Sequence, residues 1–339
     1  MSLPTDQMLP ADDVFDAALA WRDAGKPVAL ATVVSTWGSS PRPPGSHLGV
    51  SADGEMTGSV SGGCIEGAVV KEALDILKGA PAQVLDFGVT DQQAWDVGLA
   101  CGGAVKVLVR DFAPLIPLYT QARAALISGE PSALVTRLDS GETVALDAGG
   151  LPDAVAEAAR KALKDDRSRA YSGDDGDWFI EIVAPPRRLI VVGAVHIAQA
   201  LVPMAAMTGF QVTVVDPRRA YASDTRFPGV DVRTDWPDEA LDDLKPDSRT
   251  AIVTLTHDPK LDDPALDRAL RSPAFYIGSL GSSRTQAKRV ERLAEVGFDE
   301  AAIQRIHGPI GLRIGAQSPA EIAVSILAEI IAGMRGAAD

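Results

Sequence analysis

The sequence predicts an α/β protein in two parts: an N-terminal α/β domain followed by a Rossmann-like domain built on a doubly wound parallel sheet. Three observations lead there. At 339 residues the chain is long for a single hydrophobic core. From Arg188 onward, short apolar, β-branched runs alternate with helical stretches, the order that gives a parallel sheet with helices on both faces. Pro185-Pro186 interrupts the chain just before that alternation begins. The expected division is a domain over 11–112, a connecting α/β segment over 113–186 and the Rossmann-like domain over 187–335.

Composition narrows the function classes. The hydrophobic fraction of 46% and charged fraction of 23% are those of a globular chain. A net charge of −14, from 46 acidic against 32 basic residues, argues against general binding to nucleic acid or anionic membranes, but leaves room for a local basic pocket. Two cysteines cannot build a disulfide framework, and with four histidines they are a poor zinc inventory. The N-terminus lacks a basic region followed by an apolar core, and no apolar run reaches membrane-spanning length. A cytoplasmic protein with reduced thiols is expected.

In the N-terminal half, Asp12 or Asp13 can cap a helix carrying Val14, Ala17, Ala18 and Trp21 on one face, and Gly25 closes it. Pro27 to Thr36 reads as a buried strand. The Gly- and Pro-rich stretch Trp37 to Ser46 is a shaped loop with one cation, Arg42, beside Ser39, Ser40 and Gly45, which suits an anion contact or a solvated surface. Two short strands around the Ala52-Asp53-Gly54 turn lead to Gly58-Ser-Val-Ser-Gly-Gly-Cys-Ile-Glu-Gly67. Here Ser61, Gly62 and Gly63 precede Cys64, and a helical period runs from Ile65 to Lys78. The distant counterpart is Leu99-Ala-Cys-Gly-Gly103, with Cys101 before Gly102 and Gly103. A thiol at Cys64 would face bare backbone amides and a helix N-terminus, surroundings that favour the thiolate. Two tight turns holding small buried cysteines is the competing reading. Strands are expected at 83–89 and 104–110, then a helix at 115–128, a hairpin over 133–147, a helix at 153–163 and a strand at 178–183; Asp174 to Asp177 reads as an exposed acidic turn.

In the C-terminal half, a strand at 188–192 ends in Gly193-Ala-Val-His196, a helix runs to Thr208, and a strand at 211–215 closes on Asp216. Strand, glycine turn, helix and strand with a terminal acid is the dinucleotide-binding arrangement. Val195 occupies the position of the second glycine, and a β-branched side chain there obstructs a pyrophosphate, so generic NAD(P) use is doubtful. Strands at 250–254 and 274–277 end in polar clusters. One contains His257 and Asp258, which suit either a site or a structural cap; the other is Gly278 to Thr285, with Gly281, Ser282 and Arg284, followed by a basic helix with Lys288, Arg289 and Arg292. The second cluster reads as a phosphate cradle, with a capped helix and a solvated arginine as the alternative. Ser318-Pro-Ala-Glu321 is a capping box before a long apolar helix over 322–334, a packing or homodimer surface.

GSVSGGCIEG, the later CGG, VVGAVHIAQAL, THD, YIGSLGSSRT and GPIGLRIGAQSPAEIAVSILAEI together resemble the XdhC/CoxI family, in order, from about residue 14 to 332. The resemblance implies an accessory protein that binds the molybdenum cofactor (molybdopterin), protects it while its sulfido ligand is installed and delivers it to a xanthine dehydrogenase-type molybdenum hydroxylase. A cysteine desulfurase is the implied second partner, and no catalytic residue is assigned. Cys64 and Cys101 are carried over as the cofactor-facing pair, in contact with molybdenum or its sulfido ligand. The turn at 281–284 suits the cofactor phosphate. Many members read Gly-Ala-Gly-His where this chain has Gly193 to His196. The rival readings are an NAD(P)-dependent oxidoreductase using the Rossmann-like domain, and a docking protein whose loops serve only a partner interface.

Overall fold

The structure is a computed structural model that describes residues 12–38, 42–88 and 103–336. The chain divides into two compact units, Met1–Pro185 and Pro186–Asp339.

The first unit holds two antiparallel sheets. Helix α1 (Asp12–Asp23) leads into β1 (Val28–Trp37), β2 (His47–Ser51), β3 (Met56–Gly58), α2 (Glu66–Ile76), β4 (Gln83–Phe87) and β5 (Ala104–Asp111). These strands form a sheet in the order β3-β2-β1-β5-β4. Strand β1 is buried from Val28 to Val34 because both its faces are covered. Ala29, Ala31 and Val33 pack with Ile65 and Val69 at α2, while Val28 and Leu30 pack with Val14 and Ala18 of α1. The chain continues through α3 (Ile116–Ile127), β6 (Ser132–Arg137), β7 (Thr143–Ala145), α4 (Asp153–Lys164), β8 (Arg169–Gly173) and β9 (Gly176–Val183), with sheet order β7-β6-β9-β8. Leu134 and Ala145 of this second sheet join the core that contains Leu30 and Phe112, so the two sheets share packing.

A buried polar network crosses that shared core. The His47 ring lies 2.7 Å through Nε2 from Glu181 Oε1 and 3.1 Å through Nδ1 from Thr32 Oγ1. The Tyr119 hydroxyl donates to Glu181 Oε2 at 2.8 Å, and the Phe15 ring packs on both His47 and Tyr119. Burial works against a charged Glu181, but the attraction and hydrogen bond of His47, with the nearby Arg110 charge, outweigh it and hold the carboxyl below its usual range.

The second unit is a parallel sheet in the order β12-β11-β10-β13-β14-β15. Its elements are β10 (Arg187–Val192), α5 (His196–Met207), β11 (Phe210–Val215), β12 (Asp231–Arg233), α6 (Pro237–Leu244), β13 (Thr250–Thr254), α7 (Pro259–Arg271), β14 (Tyr276–Ser279), α8 (Ser283–Val296), α9 (Glu300–Ile303), β15 (Ile306–His307) and α10 (Pro319–Arg335). Leu189 and Val191 point to the layer of α5 and α10, while Ile190 and Val192 point to that of α6, α7 and α8. This is the strand order of a doubly wound dinucleotide-binding fold, with the direction of winding reversing between β10 and β13. Ser318 and Glu321 form the expected capping box of α10. The apolar face of α10, expected as a packing or dimer surface, is used inside its own unit: Ala323, Ile326 and Ile330 pack with Ala198 and Leu201 of α5. Among the described residues, no helix is long and apolar enough to cross a membrane.

Removing one partner of the buried pair tests the core of the first unit. Glu181→Ala leaves His47 and Tyr119 without their acceptor, and is expected to lower stability by about 3–5 kcal/mol. Urea unfolding at pH 7 measures it, and an unchanged midpoint would show that the pair contributes nothing net.

Candidate functional site

The glycine-rich stretch before α2 is closed by one carboxylate. Glu66 Oε1 accepts from Ser59 Oγ at 2.9 Å and from the amides of Val60, Ser61 and Gly62 at 3.3, 2.9 and 3.0 Å. Oε2 accepts from Ser61 Oγ at 2.5 Å and from the Gly63 amide at 2.8 Å. The Ser61 hydroxyl oxygen in turn accepts from the amides of Cys64 and Ile65, at 3.1 and 3.2 Å. Burial raises the Glu66 pKa, but the hydrogen bonds from Ser61 and Ser59 overcome it and bring the value down to about 2. Arg42 reaches the same loop, its Nε donating to the Ser59 carbonyl at 3.1 Å.

This corrects the expectation of bare amides around the thiol. The amides of Ser61, Gly62 and Gly63 belong to Glu66, and those of Cys64 and Ile65 belong to Ser61. It also corrects the reading of a buried cysteine, because Cys64 is exposed at the loop tip. A Cβ added at Gly63 or Gly67, on either side of Cys64, would meet nothing within 4 Å. Gly63 needs its freedom for φ +121°. Gly67 lies within α2, where glycine costs up to about 1 kcal/mol against alanine, and no neighbour demands it. Among the described residues, the space at these two glycines is open. Cys101 and Gly102 lie outside the described residues; Gly103 is buried at the start of β5.

In the second unit, the turn after β10 is also held by a carboxylate. Gly193 has φ +110°, and a Cβ there would come within 2.6 Å of Thr256 Cγ2. Asp216 is fully buried. Its Oδ2 accepts from the Ala194 amide at 2.8 Å and from Arg218 Nη2 at 2.7 Å; its Oδ1 accepts from Arg218 N and Nε at 3.0 and 2.8 Å. Burial disfavours the charge, but Arg218 and the Ala194 amide outweigh it and keep the carboxyl below its usual range. With these four bonds and no exposed surface, Asp216 has no oxygen turned toward a ribose. Val195 is the N-cap of α5, without a side-chain capping bond, and His196 is exposed at its first turn.

The third cluster lies at the carboxyl ends of β13 and β14. His257 is exposed with φ +60°, a left-handed conformation that costs a non-glycine residue on the order of 1–3 kcal/mol. Thr256 Oγ1 accepts from the Asp258 amide at 3.1 Å, and Asp258 caps α7 by accepting from Lys260 N at 3.0 Å. Thr256 also donates to Asp262 Oδ1 at 2.6 Å. Ser282 caps α8 through the Thr285 amide, as the structural alternative for that serine required. His257, Asp262, Arg284, Lys288 and Arg289 line one cavity of about 190 Å³. Lys288 and Arg289 were expected only as part of the basic helix after the turn, and Asp262 was not among the expected site residues. The spacing of Arg284 and Lys288, one helical turn apart, is the signal that joins the helix to the turn. Among the described residues, no group of three or more His, Cys, Asp or Glu side chains comes together to hold a metal ion.

Residues 21–88 match the family model described as the XdhC and CoxI family, and residues 189–330 match the XdhC Rossmann domain. The chain is 30% identical over 310 residues to a probable xanthine dehydrogenase subunit of Bacillus subtilis (strain 168), covering 89% of this chain and 92% of that one. The chain belongs to the XdhC/CoxI family. It is also 28% identical over 308 residues to the molybdenum cofactor insertion chaperone PaoD of Escherichia coli (strain K12), covering 91% of this chain and 83% of PaoD. A crystal structure described as a xanthine dehydrogenase from Bacillus halodurans shares the fold, with a TM-score of 0.74 at 24% identity over 96% of this chain and 97% of the other. The Rossmann domain of the family is thus the second unit's parallel sheet, and Cys64 falls within the stretch matched by the XdhC and CoxI model.

The carboxylate nest has a pH signature. The folded pKa of Glu66 is depressed from 4.5 to about 2, so its contribution to stability is present above pH 4.5 and is lost as the pH falls toward 2. Glu66→Gln is expected to cost about 1–3 kcal/mol near neutrality by leaving donors unpaired, and to flatten the stability profile through that acid window. Urea midpoints of both proteins between pH 5 and about 2.5 check it. Parallel profiles would remove Glu66 as the anchor.

Proposed function

We propose that this protein carries the molybdenum cofactor: it binds the cofactor as cargo, shields it while the sulfido ligand is installed, and delivers it to a xanthine dehydrogenase-type molybdenum hydroxylase. The observation that carries the reading is Cys64, an exposed thiol at the tip of a loop locked by Glu66, with glycines on both sides that leave its surroundings open. The residues present fit the cargo. A thiolate is a soft donor suited to a sulfur-ligated metal, and among the described residues the space at Gly63 and Gly67 is open to a bulky group. The name of PaoD, a molybdenum cofactor insertion chaperone, supports the same reading. Cys101 is the second sulfur assigned to the cargo, a cysteine desulfurase the donor of the sulfido sulfur, and a homodimer the working form.

The nicotinamide-dependent oxidoreductase has less support. In the turn where a dinucleotide would lie, the Ala194 amide and the Asp216 carboxylate are committed to each other, and Val195 stands where a pyrophosphate needs glycine.

Anaerobic loading with the isolated cofactor, followed by desalting and assay of released pterin and molybdenum, tests the proposal. The wild type is expected to retain cofactor stoichiometrically, and Cys64→Ser to lose at least roughly tenfold in affinity. Retention unchanged in both Cys64→Ser and Cys101→Ser would make the two Gly-Gly-Cys sites structural turns.

A further inference from the structure

The cavity at the start of α8 is the one place among the clusters described above where cations converge without enough carboxylate to neutralise them. Arg284 and Lys288 are exposed, lie one helical turn apart on the same face of α8, and make no ion pair among the described residues. In a chain of net charge −14, carboxylates for such pairs are plentiful, and Arg292 on the same helix has one: it binds Asp263 through two bonds of 2.5 and 2.9 Å. Like charges one turn apart weaken a helix, so the pair is held at a cost that the fold does not require.

Arg289 supplies the independent observation. It is 1% exposed, yet it lines the same cavity, and its Nε is buried without a hydrogen-bond partner among the described residues. Its Nη1 donates to Gln286 Oε1 at 2.5 Å and its Nη2 to the Leu280 carbonyl at 3.0 Å, bonds that fix the guanidinium in place. A buried guanidinium with an unsatisfied donor is expensive unless an acceptor comes to it. The nearest carboxylate, Asp262 Oδ2, is 3.8 Å from Nη2 and turns its other oxygen to Thr256. Ser282 takes the Thr285 amide, leaving those of Ser283 and Arg284 without an intrahelical partner at the positive end of α8.

We propose that this cavity binds a phosphate monoester, held by Arg284, Lys288 and Arg289 at the N-terminus of α8. Four cations line the cavity; Arg292 is paired with Asp263 and Asp262 offsets one of the other three, which leaves two positive charges, a match for a phosphate dianion. At about 190 Å³ the cavity is smaller than the roughly 300–1,000 Å³ of sites that enclose a whole ligand, so it takes the phosphate end and leaves the rest of the molecule in the crevice above the sheet. His257, with its left-handed backbone just after β13, lines the same cavity. The phosphate can belong to the pterin cargo, in which case the site rests on the function proposed above, or to a nucleotide, in which case it is independent of it.

Calorimetric titration of the full chain with inorganic phosphate, against chloride at matched ionic strength, tests the site without any molybdenum present, so its result does not depend on the cargo reading. Saturable binding is expected at one site. Arg284→Gln combined with Lys288→Gln changes two exposed residues, so the fold and melting temperature should be kept, and affinity should fall roughly tenfold or more. Arg289→Lys, which keeps the charge but loses the planar fork, should weaken binding several-fold. Displacement of phosphate by AMP supports the site with a nucleotide as its ligand; displacement by the pterin cofactor but not by AMP supports it with the cargo. Absence of saturable phosphate binding in the wild type, or equal affinity in a folded double variant, overturns the proposal.

Discussion

The first unit's candidate site depends on the Glu66 carboxylate. Four consecutive amides and two serine hydroxyls converge on it, and the loop that displays Cys64 has its shape because that charge is there. The second unit repeats the device. Asp216, at the end of β11, draws the Ala194 amide of the Gly193 turn and the Arg218 side chain onto itself. Both turns have the composition of anion-binding loops, and in both the anion is the protein's own. The start of α8 differs. Its serine cap satisfies one amide, and among the described residues no carboxylate enters between the first-turn amides or pairs with Arg284 and Lys288. An internal carboxylate satisfies the amides of a glycine turn; at the start of α8 none does so among the described residues.

The elements of the fold were readable in the sequence wherever burial imposes a period. Strand β1 is buried from Val28 to Val34 because both its faces are covered, and the capping box of α10 follows from Ser318 and Glu321 at their fixed spacing. The short edge strands β3 and β7 were readable because each follows a turn signal in a hairpin, whereas β8, β12 and β15 were not. Strand β12 has three residues and β15 has two, too few to show any alternation, and the half-exposed β8 is defined by its pairing with β9. Their partners are set by the sheet, not by the local composition.

The site was readable as a set of residues but not as a set of bonds. Cys64, the glycines beside it and the basic face of α8 stand out by type and spacing. What the sequence did not disclose is which anion each turn holds. Glu66 carries no site reading in the sequence, and Asp216 reads only as the terminal acid of a dinucleotide-binding arrangement, because the motif gives an acid its position but not the direction of its side chain. Asp262 and Arg289, 27 positions apart in the chain, meet only because α7 and α8 pack on the same face of the sheet.

The locked loop bears on transport as well as on binding. A carrier has to give up its cargo, and departure is costly when it strands polar groups that only the cargo had satisfied. Around Cys64 this cost is small: the amides of Ser61, Gly62 and Gly63 are bonded to Glu66 and those of Cys64 and Ile65 to Ser61, independently of any ligand. A ligand at the thiol therefore adds a contact to a loop that is already complete, and its release returns that loop to the same hydrogen bonds. Bare amides would have bound an anionic cargo more tightly and released it less readily. On the function proposed above, the arrangement favours exchange at the sulfur over retention by the backbone, which is the balance delivery needs.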